Sequence, residues 1–424
     1  MERSRVQALI GSTLIVSCLA AIFYVYSRPS RNGYGAEHDF VTVIAGVHCA
    51  IDRCDPYDSH TLEREFPTRM GGYTPTSHFK PEWPVYPPST FLLLFPFSLL
   101  PWPVLSVLWM LLCFVSITAA LLALFLRFQA YCDLLSAVPF IILLADGSIG
   151  WAVQLGQPAL IAASTLTLAV VALGAGSLPV TGGVLLAISL CLKPQGAVLC
   201  GLYFLLLART RVPALAAYLF TAVAAFGGIL LFYVRLGSFA YLHHLRANIA
   251  LAMQPGRDAD FSRLNPDSAS FLNLQAFLAR VLNDPHLCNQ LTYAVCFVIA
   301  VLLALVCWRR RNLALRPFTI LAVLVMIQLL SSYHRLYDHA YMLAAIPGLY
   351  EIKQRGIWQY LLFVAALVLD HFSQFHGMTI RGLGPFPSGA PVELFVAGLC
   401  LYSLWQNRTA IRQTTGPAWT TENN

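Results

Sequence analysis

The sequence predicts an all-α, polytopic transmembrane helix bundle, and three observations carry that expectation. First, 58% of the 424 residues are hydrophobic and only 11% are charged, against ~25% charged in ordinary soluble domains. Second, apolar runs recur along the chain, each about as long as a helix that crosses a bilayer ~30 Å thick. Third, basic residues sit in short clusters between those runs, as topology signals do. A soluble core cannot hide so much apolar surface, and the short alternating segments of an outer-membrane barrel are absent. The formal charge of +7 is spread over these clusters and does not point to nucleic acid as a partner.

Arg3 and Arg5 precede a first span at 7–26. Ile15-Val16-Ser17-Cys18 has the look of a lipoprotein cleavage site, but the apolar run continues past Cys18, which predicts an uncleaved signal anchor. A polar segment, 27–86, follows on the far side. Thr90–Leu100, between Pro88 and Pro101, is too short to span and is expected to lie in the interface or to enter partway. Spans follow at 102–126, 133–149 and 158–175. Within 179–208 the pair Lys193-Pro194 interrupts an apolar run. Proline breaks the helical ladder and a lysine at membrane depth is costly, so two half-length helices are expected to meet there. A span at 213–234, a second outer segment at 235–289, and spans at 290–308, 315–332, 338–350, 357–372 and 391–406 bring the total to about 11–12, counting half-length helices.

Arg209 and Arg211, Arg309-Arg310-Arg311, Lys353/Arg355 and Arg408/Arg412 then fall on the same side as Arg3 and Arg5. One path satisfies the positive-inside rule, with both termini cytoplasmic, in a bacterial inner membrane. All but Glu2, Asp133, Glu351 and Glu422 of the 20 acids lie on the other side. The chain reads as a single membrane domain, 1–424, with no repeat. Its segments 27–86 and 235–289 would form the extracytoplasmic face of a site. Most of the 11 cysteines lie in apolar runs as small hydrophobes. Cys49 and Cys54 sit close together in the outer segment, either as a disulfide or as two thiols.

Residues 37–50 pattern as an amphipathic helix on the outer interface, with Phe40, Val43, Ile44 and Val47 on one side and Asp39, Thr42, Gly46 and Cys49 on the other. A carboxylate at an apolar boundary suits a general base; the plainer role for Asp39 is at a helix N-terminus. Asp55-Pro56-Tyr57-Asp58 and Tyr86-Pro87-Pro88 read as turns. Gly156-Gln157-Pro158 either offers amide hydrogen bonds to hydroxyls or caps a helix. The densest stretch is Ser331 to Tyr341, which gathers His334, Arg335, Tyr337, Asp338 and His339 beside apolar helices. Such groups at membrane depth point to function. Arg335 can hold a phosphate in bidentate fashion and a histidine can donate to it. A zinc site from His334, His339 and Asp338 ranks below phosphate recognition, and no metal is expected. Lys193 is a further cation, facing a cavity or snorkelling to an interface. Residues 235–289 add Arg235, His243, His244, Arg246, Arg257 and Arg263, with Asn273 and Gln275 beyond, as a covering loop on headgroups or a solvated one.

In this order the motifs resemble the family 87 glycosyltransferases, membrane enzymes of C-type architecture, over roughly residues 35–345. The matching features are Asp39, Asp55-Pro56-Tyr57, Tyr86-Pro87-Pro88, Gly156-Gln157, Lys193-Pro194 and the Tyr337–His339 stretch. The chain departs from the family in carrying Gly-Gln-Pro for Gly-Gln-Asn and Leu-Tyr-Asp-His for Trp-x-His-His. The resemblance implies transfer of a sugar, hexosyl with mannosyl foremost or pentosyl, from a polyprenyl-phosphate donor to a lipid or glycan acceptor on the extracytoplasmic face. It implies Asp39 and His339 as catalytic residues, with the choice between His339 and His334 open. Arg335, His334 and Lys193 would bind the donor phosphate; Tyr57, Tyr86, Gln157 and Tyr337 would bind substrate. No cofactor is implied beyond the lipid-linked donor itself, and no glycine-rich phosphate loop is present. The competing readings are a lipid-linked glycan transporter or flippase, which usually shows paired broken helices, and an envelope-glycan polymerase or ligase.

Overall fold

A computed structural model of the protein describes residues 2–27, 38–62, 84–130, 132–145, 147–206, 210–257, 259–265, 268, 271, 273–309, 316–332, 334–354, 356–376, 379–380, 384–385 and 389–406. Helix α1 (Glu2–Tyr26) is followed by α2 (His38–Asp52), a short α3 (Pro88–Leu94) that tightens into a 3-10 turn at Phe95–Leu99, and α4 (Trp102–Arg127). Helices α5 (Leu134–Ala145), α6 (Gly147–Leu155) and α7 (Pro158–Ala175) come next, then the half-length pair α8 (Pro179–Leu192) and α9 (Val198–Leu206). Beyond them lie α10 (Arg211–Leu236), α11 (Ala240–Ala252), α12 (Leu274–Leu278), α13 (Pro285–Arg309) and α14 (Pro317–Ser331). A 3-10 helix over Leu336–Ala345 leads to α15 (Ile346–Lys353), α16 (Ile357–His376) and α17 (Gly389–Trp405).

Six helical stretches are long and apolar enough to cross a membrane: Ser4–Tyr26, Trp102–Arg127, Leu134–Leu155, Pro158–Ala175, Arg211–Leu236 and Pro285–Arg309. Shorter apolar helices lie among them. The protein is an all-α, multi-pass membrane protein. In α7 72% of the apolar window is enclosed by protein, against 17% in the first span. Helix α7 is central because it packs on α4, α8 and the Leu336–Ala345 helix together. Its own hydroxyls are satisfied within the helix, with Ser164 donating to Leu160 O at 2.7 Å and Thr167 to Ala163 O at 2.8 Å, as a low-dielectric setting requires.

The break at Lys193-Pro194 forms as the sequence predicts, and each side of it finds partners. Ser89 and Thr90 donate to the Cys191 carbonyl at 3.0 and 2.9 Å. From α14, Gln328 donates to the Gly196 carbonyl (2.6 Å) and accepts from the Leu199 N–H (2.5 Å). A Cβ at Gly196 would run into the Tyr341 ring, so the turn requires glycine there.

Other expectations are corrected. Helix α2 does not lie on an interface but is enclosed: Phe40, Val43, Ile44, Val47 and Cys49 are all fully buried. Its small face is covered at Gly46 by the Phe91 ring of α3, and burial is continuous from Asp39 to Ala50. The span read at 133–149 runs on to Leu155 as α5 and α6, and the one read from 290 starts at Pro285. The span read at 338–350 is a continuous helical run, 3-10 over Leu336–Ala345 and then α15, opened by the Asp338 carboxylate accepting from the Arg335 N–H (3.3 Å). Residues 235–289 are no loose loop, since α11 and α12 lie within them. Glu37, Arg209, Arg310, Arg311, Tyr333, Arg355, Arg408, Arg412 and Glu422 lie outside the described residues.

Candidate active site

The first turn of α2 carries Asp39 and Thr42 to the edge of a cavity. What holds that turn is an aromatic stack: the Phe40 ring lies 4.1 Å from the Trp109 ring, at 6° between planes. The Trp109 indole N–H in turn donates to the Gly156 carbonyl at 2.8 Å. Gly156 has φ +62°, the left-handed conformation that glycine adopts without strain. It ends α6 and delivers Gln157 to the same cavity. Asp39 and Gln157, distant in sequence, are thereby set by one stack.

A second wall begins where the Cys49–Cys54 disulfide closes the end of α2. Asp55 accepts from the Tyr57 N–H at 2.8 Å, and its other oxygen lies 2.6 Å from His244 Nδ1 on α11. The Tyr57 hydroxyl donates to the Tyr86 carbonyl at 2.8 Å, while Asn248 of α11 donates to the carbonyls of Tyr57 and Pro84. The two long segments are thus sewn together behind Tyr86. Tyr57 is 1% exposed and is not among the residues lining the cavity; it props the wall that carries Tyr86. Burial, with Tyr241 and Asp55 nearby, pushes its phenol well above the ordinary range, so it remains a hydrogen-bond donor.

The third wall is the Ser331–Tyr337 stretch. Lys193, at the helix break, donates to the fully buried Asp338 carboxylate, and its ammonium sits 5.0 Å from the Tyr337 ring centre. His334 lies with Nδ1 3.2 Å from Asp338 and Nε2 2.8 Å from the Ser332 hydroxyl. Arg335 pairs through its backbone with Phe271 and sets its guanidinium 5.9 Å from that ring centre. His334 (0% exposed) and His339 (4%) do not line the cavity. Asp338 holds His334 on the inner side of this wall. Asp338, considered only as a zinc ligand in the sequence, is the hub of this wall.

The cavity measures about 420 Å³ and is lined by Asp39, Tyr86, Gln157, Lys193, Arg335 and Tyr337 among others. Ile249, Met253 and Phe261 add apolar side chains to the same lining. A carboxylate and a guanidinium therefore line one space together with apolar side chains. Such a space can take a hydroxyl, a phosphate and the start of a hydrocarbon chain. Sequence reasoning missed Gln195, Asn289 and Tyr293, which also line it. The signals were present: Gln195 follows the Lys193-Pro194 break, and Asn289 and Tyr293 fall one helical turn apart on α13.

A family model described as glycosyltransferase family 87 matches residues 84–332, more than half of the chain. The match includes Tyr86, Gln157, Lys193, Asn273 and Gln275, whereas Asp39, Tyr57, Arg335 and Tyr337 lie outside it. No curated protein matches the chain.

Proposed function

The chain belongs to glycosyltransferase family 87, and we propose that this glycosyltransferase moves a sugar from a polyprenyl-phosphate donor to a lipid or glycan acceptor hydroxyl on the extracytoplasmic face. The sugar is a hexosyl group, mannosyl foremost, or a pentosyl group. The observation that carries the reading is that Asp39 and Arg335 line one cavity. Asp39 takes the proton of the acceptor hydroxyl as its oxygen bonds to the anomeric carbon. The bond from that carbon to the phosphate oxygen breaks, and polyprenyl phosphate leaves carrying both electrons. Arg335 meets the charge that develops on the phosphate. Lys193 contributes less than a lone lysine would, since Asp338 already offsets its charge. Tyr86, Gln157 and Tyr337 contact substrate, and Tyr57, His334 and His339 hold the walls behind them. The apolar lining residues Ile249, Met253 and Phe261 accommodate the first isoprene units. Support for the extracytoplasmic side comes from the Cys49–Cys54 disulfide beside this wall, a bond that persists in oxidising compartments. With the site in a bacterial inner membrane, both termini would be cytoplasmic.

Incubating purified protein with a panel of polyprenyl-phosphate sugars, read by mass spectrometry of the lipids, tests the donor class. Asp39→Asn should lower turnover by about 10²-fold or more, the usual range for a lost general base, while donor lipid still binds. Wild-type turnover in that variant would remove Asp39 from the mechanism.

A further inference from the structure

Two buried glutamines on neighbouring elements are used in opposite ways. Gln328, 3% exposed, has both ends of its amide engaged by backbone, at Gly196 and Leu199. It is a structural plug. Gln275, 5% exposed, has only one end engaged: its Nε2 donates to the Ser331 carbonyl at 3.5 Å. A carbonyl can only accept, so this contact fixes which half of the amide is which. Gln275 Oε1 is then left buried with no hydrogen-bond partner among the described residues. A buried polar atom without a partner is destabilising, and this one belongs to a residue that lines the cavity.

Asn273 repeats the arrangement in the other sense. It is 2% exposed and its Oδ1 accepts from the Ala276 N–H at 3.1 Å. With Oδ1 so engaged, the NH2 is the half of the amide left to act on a ligand, and Asn273 too lines the cavity. One side chain presents an acceptor and its near neighbour a donor. An acceptor and a donor on residues two apart in the chain, both lining one cavity, form the pattern that reads hydroxyls, which both donate and accept. The position of the pair is set as well. Phe271, two residues before Asn273, bridges to the backbone of Arg335, and Ser331 anchors Gln275. The carboxamides thus occupy the same wall as the guanidinium.

We propose that Gln275 and Asn273 are specificity-determining residues that read hydroxyls of the donor sugar, Gln275 Oε1 accepting from one hydroxyl and Asn273 Nδ2 donating to a hydroxyl oxygen. The assignment to donor rather than acceptor rests on the reading of Arg335 as the donor-phosphate contact. The Asn-Gln pair selects a sugar with a free hydroxyl at the position facing Gln275 and rejects the sugar deoxygenated there, because rejection leaves buried polar groups unmet.

The test is a series of monodeoxy polyprenyl-phosphate sugars, each compared with the parent donor by kcat/KM. In the wild type, at least one deoxy donor should fall by about tenfold, the size of one net hydrogen bond. Gln275→Met, which keeps length and removes both polar ends, should shrink that discrimination to near unity. Gln275→Glu retains an acceptor oxygen and should preserve the ranking of donors even where turnover drops. If Gln275→Met fails to fold in detergent, the wild-type series still decides: equal kcat/KM for every deoxy donor overturns the proposal. An unchanged ranking in a folded Gln275→Met overturns it too, as would a loss of discrimination confined to deoxy acceptors. Failure of the wild type to consume any polyprenyl-phosphate sugar is a different result, and it removes the underlying function instead.

Discussion

Lys193 and Lys353 are built into the bundle alike up to a point. Each donates to an aspartate from a distant stretch, Asp338 and Asp133 respectively, and each ammonium sits near a tyrosine ring, 5.0 Å from Tyr337 and 5.4 Å from Tyr360. The settings differ. Lys193 and Asp338 are 12% and 0% exposed, with Lys193 lining the cavity, whereas Lys353 and Asp133 are 20% and 50% exposed. The Lys353 pair also engages the Ser136 hydroxyl, and Tyr350 and Tyr360 donate to the carbonyls of Ser136 and Leu135 beside it. It fastens α15 and α16 to the start of α5. The Lys193 pair is buried where desolvation makes an ion pair expensive. The comparison teaches that one motif, a lysine, an aspartate and a tyrosine, serves as a clasp when wet and as a preset electrostatic floor when dry.

The largest effect should come from breaking the dry pair on one side. Asp338→Asn leaves Lys193 charged and nearly buried, and should cost about 3–5 kcal/mol of stability, read as thermal unfolding in detergent. Removing both charges with Lys193→Met and Asp338→Asn should recover much of that loss, since the members of a pair are coupled. If Asp338→Asn were no worse than Asp133→Asn, the distinction between floor and clasp would collapse.

Next in size is Arg335→Gln. Under the proposed function it removes a charge-assisted contact worth about 1.5–3 kcal/mol, or roughly 10–100-fold in kcat/KM, with little change in unfolding temperature. Arg335→Lys should recover only part, because a single ammonium cannot reproduce the planar fork. Measuring activity and stability on the same samples separates Arg335, a contact on the floor, from Asp338, which holds the floor in place.

Much of this was legible in the sequence, and the particular failures are instructive. Helix lengths and the break at Lys193-Pro194 follow from composition and proline chemistry, which act locally. Asp39, Gln157, Lys193 and Arg335 stood out because polar groups at membrane depth are rare. What could not be read was which side of each residue meets a neighbour. Tyr57 and Tyr86 look equivalent as turn aromatics, yet the hydrogen bond between them makes one a prop and the other a wall. His334 and His339 read as candidates to meet the substrate, but Asp338 draws the motif inward through Lys193, a contact 145 residues apart in sequence. Helix α2 reads as amphipathic, and only Phe91 pressing on Gly46 shows that its small face is covered.

The smallest effect belongs to the wet pair, and its sign is fixed by Asp133. Burial would raise that carboxyl, but hydrogen bonds from Lys353 and Ser136 outweigh it and hold it below the usual carboxylate value. A group whose folded pKa is depressed adds stability above its unfolded pKa, about 3.9 for aspartate. That stability is lost as pH falls through the folded value. Half-exposed as it is, the pair should contribute at most about 1 kcal/mol after screening. Unfolding temperatures of wild type and Asp133→Asn should therefore differ slightly near pH 7 and converge as the pH drops below 4 or so. The gap should also narrow in 1 M salt, where screening reaches ~3 Å. A gap that widened on acidification would mean that Asp133 is stabilised in its protonated form, and the clasp would then need another source of attraction than the lysine.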